Sequence, residues 1–207
     1  MKILVIDSGS NKTKYIEEIV DQFIDVKTSK LMDFKETDLD NVVGVIISGA
    51  PLLVTEVDPS PYINQLKWIK TSQLSILGIC FGHQVIGLMH GAFATRMKED
   101  RDWQIIEAHV DCPLFNRLPN EIEMMEDHCE TISIPQGFEL VASSDACVNE
   151  AMQHKERAIF GVQFHPEKSG KSGERILQNF VQFHPEVSGN HGRILIENFI
   201  KVCQRNT

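Results

Sequence analysis

Leu74-Ser75-Ile76-Leu77-Gly78-Ile79-Cys80-Phe81-Gly82-His83-Gln84 is the stretch on which the fold turns. Leu74–Ile79 is a short continuous apolar run, the pattern of a strand buried on both faces of a parallel sheet. Helical spacing takes over across Gly82–His90. Between them lies Gly-x-Cys-x-Gly, the layout of a nucleophile elbow with cysteine in the place of serine. The flanking glycines let the backbone turn sharply and let strand and helix pass close by. Such a turn sets the sulfur at a helix N-terminus, where the partial positive charge favours thiolate over thiol. Taken alone, the stretch also reads as a buried cysteine beside two packing glycines.

The same alternation extends N-terminally. Ile3–Ile6 reads as a buried strand, and Tyr15, Ile16, Ile19, Val20 and Phe23 recur at helical spacing. Further strands are expected at Ile24–Thr28 and Val42–Ile47, the latter followed by the turn Ser48-Gly49-Ala50-Pro51, with a helix over Pro61–Lys70. Strands alternating with helices predict right-handed crossovers and a parallel sheet. After Gly91 the period changes to two, at Gln104–Val110, Glu121–Glu126, Phe138–Ala142, Val148–Gln153 and Ala158–Phe164. These segments read as hairpins added to the sheet. No linker rich in Gly, Pro or Ser intervenes. The expected fold is α/β, a mostly parallel central sheet flanked by helices with added antiparallel hairpins, in one domain over residues 1–180.

Composition narrows the function. The 207 residues carry 20 Lys+Arg against 29 Asp+Glu, a net charge of −9, with 42% apolar residues. That suits a globular chain with a sizeable core. No Lys/Arg cluster is present to neutralise phosphates, which argues against nucleic-acid binding. No run is long and apolar enough to span a bilayer, and Ile3–Ile6 meets Asp7 too soon for a secretory leader. Five cysteines without a CxxC pair argue against a disulfide framework or a structural zinc. Gly170-Lys171-Ser172 imitates the end of a phosphate-binding loop, but the glycine required five residues earlier is His165. The expectation is a cytoplasmic protein with reduced thiols, no metal and no cofactor.

A cysteine nucleophile needs a base within hydrogen-bond reach and a group to orient that base. Phe164-His165-Pro166-Glu167 offers both. The preceding apolar strand would carry His165 to a sheet end, proline would stiffen the turn, and Glu167 could hold the second imidazole nitrogen. The hexapeptide Val162–Glu167 recurs intact as Val181–Glu186, nineteen residues later, and the likeness runs on to Asn179-Phe180 and Asn198-Phe199. Two units are too few for a solenoid. They read as a local tandem duplication, in which His184 and Glu186 are an alternative base and orienter. Connectivity favours the first copy, because a hairpin ending in Arg157–Phe164 delivers His165 directly. The second copy follows Glu174–Phe180, whose helical spacing would have to end abruptly. Residues 181–207 are then an appendage, with Ile194, Leu195, Phe199 and Ile200 on one helix face.

Together, Gly78–Gln84 and Gly161–Glu167 resemble the class I glutamine amidotransferases, which have a flavodoxin-like core and take ammonia from glutamine through a Cys-His-Glu triad. Ser48-Gly49-Ala50-Pro51 is similar to the family's Ser-Gly-Gly-Pro oxyanion strand. Asp102-Trp103, Ile106 and Pro113-Leu114-Phe115 are similar to its substrate-loop region and the segment beyond. Pro135–Leu140 and Glu150–Lys155 are similar to the stretches before the His-Pro-Glu motif. Within the class, these details resemble most the stand-alone amidotransferase subunits of GMP synthases. The resemblance implies that Cys80 attacks the side-chain amide carbon of L-glutamine, that His165 moves the protons and that Glu167 orients His165. It also implies an oxyanion hole from Phe81 and the Gly49-Ala50 turn, and a glutamine pocket lined by Gln84, Asp102 and Trp103. The ammonia would pass to a separate synthetase subunit of the ATP-pyrophosphatase type, since this chain has no phosphate-cradling loop. The alternatives are an amidotransferase subunit for imidazole glycerol phosphate or anthranilate synthesis, or a catalytically silent interaction protein of the same fold.

Two positions depart from the family pattern. Ala50 replaces the second oxyanion-strand glycine; if that position required positive φ, alanine would add about 1–2 kcal/mol of strain. Asp102 stands where relatives often carry glycine, beside the substrate's α-amino and carboxylate groups, where it could attract the amine or obstruct the acid. His128, within Glu126–Glu130, reads as either the rim of the site or a solvated turn. Met124-Met125 reads as core.

Overall fold

The computed structural model describes residues 1–183. Its strands are β1 (Lys2–Asp7), β2 (Val26–Lys30), β3 (Val42–Ile47), β4 (Ser75–Ile79), β5 (Ala94–Asp100), β6 (Trp103–Ala108), β7 (Glu121–Met125), β8 (His128–Ile132), β9 (Phe138–Ser143), β10 (Ala151–His154) and β11 (Ile159–Val162). The helices are α1 (Thr13–Val20), α2 (Ser60–Gln65), α3 (Phe81–Met89) and α4 (Gly170–Gln182). Nine strands form one sheet in the order β2-β1-β3-β4-β11-β10-β9-β6-β7. The half from β2 to β11 is parallel, and the half from β11 to β7 is antiparallel. This is the α/β architecture, a parallel sheet flanked by helices and extended by antiparallel hairpins, that the apolar periodicities predict, with the antiparallel part as large as the parallel one.

The parallel strands are apolar on both faces because helices cover both. Successive residues of β1 point to opposite sides. Ile3 and Val5 join a core with Ile16 and Val20 of α1 and with Ile176, Leu177 and Phe180 of α4. Leu4 and Ile6 join the core on the other face, with Phe81, Val85 and Ile86 of α3. The chain reverses direction across the sheet between β1 and β3, so the carboxyl ends of these strands open a crevice at a topological switch point, the usual ligand position in such sheets.

Several boundaries differ from the expectations. The second strand begins at Val26 instead of Ile24, and the helix expected over Pro61–Lys70 is α2 followed by a separate 3₁₀ turn, Lys67–Lys70. Strands β5 and β8 have no counterpart among the expected elements; they pair antiparallel as a separate two-stranded sheet. The sequence of β5, Ala-Thr-Arg-Met-Lys-Glu-Asp, has no apolar alternation because most of its residues are solvated. Helix α4 crosses position 180 and includes Val181 and Gln182, the first two residues of the second hexapeptide. His184, Glu186 and the expected apolar helix face at Ile194–Ile200 lie outside the described residues.

Candidate active site

The elbow at Cys80 is strained in the manner its sequence demands. Cys80 has φ +50° and ψ −104°, a backbone conformation rare for a residue with a side chain, and α3 starts at the next residue. Both flanking glycines are required by close approach. A Cβ on Gly78 would lie 2.5 Å from the backbone carbon of Gly82, and one on Gly82 would lie 2.4 Å from the carbonyl oxygen of Ile47. The backbone N–H of Cys80 donates to Val162 O at 2.8 Å, which ties the elbow to the end of β11.

The end of β11 brings His165 to the same place. Its Nδ1 lies 2.7 Å from Glu167 Oε1, and both side chains are buried. The turn is pinned from behind. His165 N–H donates to Met125 O at 2.9 Å, and Ser169 Oγ donates to His165 O at 2.7 Å while accepting from Met125 N–H at 2.9 Å. A Cβ on Gly173 would fall 1.9 Å from Pro166 O, so α4 packs directly against the turn.

Gly49 closes the triangle: the position its Cβ would take is 3.3 Å from His165 Cε1 and 3.6 Å from Cys80 Cβ. Ala50 follows without strain, because the non-glycine residues with positive φ among those described are Asn41, Cys80 and Arg117. The condition under which alanine would have been costly at this position is therefore not met.

Electrostatics single out His165. Burial works against its charge, but Cys80, through its charge and its hydrogen bond, and then Glu167 outweigh it, raising the imidazole to about 10. By contrast, burial pushes the Cys112 and Cys147 thiols up to about 12, which disqualifies both as nucleophiles at neutral pH. His83, beneath the elbow, is lowered to about 3, chiefly by burial, and is a neutral packing group.

A cavity of about 590 Å³ opens onto His165 and is lined by Gln84 and Ala50, among others. Gln84 is buried and donates from Nε2 to Gln163 Oε1 at 3.2 Å; Gln163 Nε2 in turn lies 3.6 Å from Cys80 Sγ. Asp102 and Trp103 are not among the lining residues. Asp102 is exposed and accepts the Trp103 N–H at 2.8 Å, and Trp103 is 49% exposed at the start of β6. The acidic and basic side chains on the wall are instead Lys12, Arg96, Glu99, Arg101, Asp127 and Glu130.

Composition and motif spacing gave no sign of Lys12, Asp127, Gln163 or Glu130. Lys12 was findable in principle, since it follows the carboxyl end of the first parallel strand, where ligands gather in such folds. Glu130 on β8 accepts the N–H groups of Val54 and Thr55 at 2.8 Å each, fixing the loop beyond Ala50. His128 occupies a buried strand instead of a solvated turn; its Nε2 lies 3.1 Å from Glu126, and its Nδ1 lies 2.8 Å from Glu130 O. Met124 is core.

Glu126, His128 and Glu150 bring ligand-type atoms within 4.8 Å of one another. Burial, followed by the charge of Glu126, raises the Glu150 carboxyl to about 8. Burial opposes charge on His128, yet Glu126 outweighs it and raises the imidazole. His128 and Glu126 form a buried ion pair beside the Glu150 carboxyl. Among the described residues, no helix is long and apolar enough to cross a membrane.

A cysteine on a strained elbow between a parallel strand and a helix, facing a histidine–glutamate pair, defines a Cys-His-Glu site on a three-layer α/β fold. The family model for class I glutamine amidotransferases matches residues 4–181, and the chain belongs to that family. Among curated relatives, it is 38% identical over 143 residues to one subunit of the glutamine-hydrolyzing GMP synthase of Methanocaldococcus jannaschii, covering 67% of this chain and 72% of the relative. It is 34% identical over 187 residues to the corresponding GMP synthase subunit of Thermoplasma acidophilum, covering 87% and 92%. A crystal structure from Thermoplasma acidophilum, of a candidate for that GMP synthase subunit, superposes with TM-score 0.81 at 29% identity over 94% of this chain and 97% of that one.

Proposed function

We propose that this chain is the glutamine-hydrolysing subunit of a two-subunit GMP synthase, working in the cytoplasm. It would release ammonia from L-glutamine for a synthetase partner of the ATP-pyrophosphatase type that aminates XMP. The relatives named above support the pathway. Free thiols at Cys80, Cys112, Cys129 and Cys147 suit a reducing compartment. The observation that carries the chemistry is the convergence of Cys80, His165 and Gly49 within one van der Waals contact shell, with Glu167 bonded behind the imidazole.

In this reading, the proton of the Cys80 S–H bond passes to His165 Nε2, leaving a thiolate beside an imidazolium, and as the sulfur bonds to the amide carbon of glutamine the carbonyl π pair moves to oxygen. The oxyanion that forms is met by the backbone N–H of Phe81 and of the Gly49-Ala50 turn. One such donor is worth about two to three powers of ten in rate. The imidazolium then gives its proton to the leaving nitrogen, the C–N bond breaks, and a γ-glutamyl thioester remains. Water then gives a proton to the same imidazole as its oxygen bonds to the thioester carbon; the C–S bond breaks, glutamate leaves, and the imidazolium proton is again shared with the Cys80 sulfur. Glu167 holds Nδ1 throughout and stabilises the charged ring. Gln84 lines the proposed glutamine pocket, whereas Asp102 and Trp103 are not among the residues that line the cavity.

The first copy of the hexapeptide carries the site, and residues 181–207 begin an appendage whose first two residues extend α4. Gly161 supports that assignment. Its Cβ would lie 2.5 Å from His83 Nδ1 and 2.9 Å from Met152 Cε, and the equivalent position before the second copy is Phe180. The second copy therefore cannot replace the first without forcing a phenyl ring into the space beneath the elbow. The test is glutamine hydrolysis by the full chain, alone and with an ATP-pyrophosphatase subunit, beside Cys80→Ala, His165→Ala and His184→Ala. Loss in the first two and retention in the third is expected. Full activity in His165→Ala would overturn the reading.

A further inference from the structure

Of the cations on the cavity wall, none of which takes part in the steps above, Lys12 stands against the base. Lys12, in the turn between β1 and α1, has its backbone N–H on Ser10 Oγ at 3.1 Å, and its ammonium is ion-paired with Asp127. The same ammonium stands 3.5 Å from Nε2 of His165. Since Nδ1 is occupied by Glu167, Lys12 faces the nitrogen on which the transferable proton must sit. Its side chain is only 19% exposed, so solvent screens this charge weakly.

The charges around the ring come from four directions. Cys80 faces it from the elbow, Glu167 from the turn after β11, Asp127 from the β7–β8 connection and Lys12 from the β1–α1 turn. The three anionic groups favour the imidazolium, and Asp127 is itself held down by Lys12, His165 and Arg101 against the opposing effect of its partial burial. Burial and Lys12 act the other way. A proton held too firmly on His165 would not pass to the departing nitrogen, because acid–base transfer is most efficient when the donor is matched to the working pH. A like charge beside the ring weakens that hold.

We propose that Lys12 is a positioning residue of this site: anchored by Asp127, its ammonium faces Nε2 of His165 and sets how readily the imidazole releases the proton taken from Cys80. The inference rests on the triad reading above. It requires no new bond. The Nε2–H bond formed at the expense of Cys80 S–H is the same one that breaks when the leaving nitrogen gains its proton, and Lys12 changes only the ease of that second transfer.

The direct test is a pH titration of His165 by NMR on full-length protein with ¹⁵N-labelled histidine, in a Cys80→Ala background that removes the thiolate. The His165 signal is assigned by its loss in Cys80→Ala/His165→Gln. Adding Lys12→Met or Lys12→Gln is expected to raise the midpoint by about one pH unit, while Lys12→Arg leaves it in place. A midpoint unmoved in folded Lys12→Met and Lys12→Gln proteins overturns the proposal. In the Cys80 chain with its synthetase partner, the alkaline limb of kcat/KM for glutamine should move in the same direction. A merely structural lysine would lower activity or stability without moving either curve. Because the titration contains no nucleophile and no glutamine, its result stands even if the parent fails to hydrolyse glutamine, an outcome that would sink the triad reading alone.

Discussion

The tripeptide Val-Gln-Phe occurs twice in the described chain and takes two structures. Val162 ends β11, and Gln163 and Phe164 are buried beside the elbow. Val181 and Gln182 are the last turn of α4, and Phe183 beyond them is 37% exposed. The identical residues cannot be responsible for the difference, so their neighbours are. Gly161 precedes the first copy and lets β11 pass against His83 and Met152. Phe180 precedes the second and is wholly buried between α4 and the sheet, while Asn179 donates to Leu114 O and Asn116 O at 2.8 Å each. Local identity is outweighed by what the preceding residues can bury.

The largest effect should come from the copies themselves. His165→Ala is expected to lower glutamine hydrolysis about 10²–10⁴-fold, whereas His184→Ala leaves the rate near the parent's, as read by coupled glutamate assay. Equal losses in both would erase the distinction. Next comes the residue that commits the second copy to helix. Phe180→Ala should cost about 3–5 kcal/mol in urea denaturation, since a large side chain leaves a wholly buried site. Gly161→Ala should cost about 1–3 kcal/mol, because its Cβ meets His83 and Met152 and must displace them.

A smaller effect tests the strand beside the first copy, where Gln163 N–H donates to Glu150 O at 2.8 Å. With its carboxyl raised to about 8, Glu150 holds a proton in the folded chain that the unfolded chain has already released. Its contribution is therefore complete below the ordinary carboxylate range and is lost as pH rises towards 8. Glu150→Gln should gain stability relative to the parent between pH 5 and pH 8; parallel pH curves for the two proteins would show that the carboxyl is not protonated. The smallest effect follows from the proposed appendage, tested by ending the chain after Phe183. Midpoint and glutaminase rate should change little, by about 0.5 kcal/mol or less; a large loss would mean that residues 184–207 do more than append to the domain.

The elbow was legible because its glycines are set by local geometry. Gly78 and Gly82 permit an approach that a Cβ would block, and such a requirement shows in sequence as Gly-x-Cys-x-Gly. The parallel strands were legible because burial on both faces leaves an unbroken apolar run. Strands β5 and β8 were not: β5 is charged and mostly solvated, and His128 and Glu130 in β8 are buried polar residues whose partners, Glu126, Val54 and Thr55, come from elsewhere. Asp102 and Trp103 were placed at the pocket by similarity of position along the chain. Neither is among the residues that line the cavity, whereas the neighbouring Arg101 is.

The sequence by itself determined the α/β class and the presence of two hexapeptide copies, and it pointed to the nucleophile, base and orienter proposed above, because each is a matter of residue type at fixed spacing. Only the tertiary structure shows that His165 of the first copy stands beside the elbow, that Ala50 sits without strain, and that Lys12 and Asp127 face His165. Those outcomes depend on the space left beside Gly161 and on charges brought together from turns far apart in the chain, distances that no local pattern encodes.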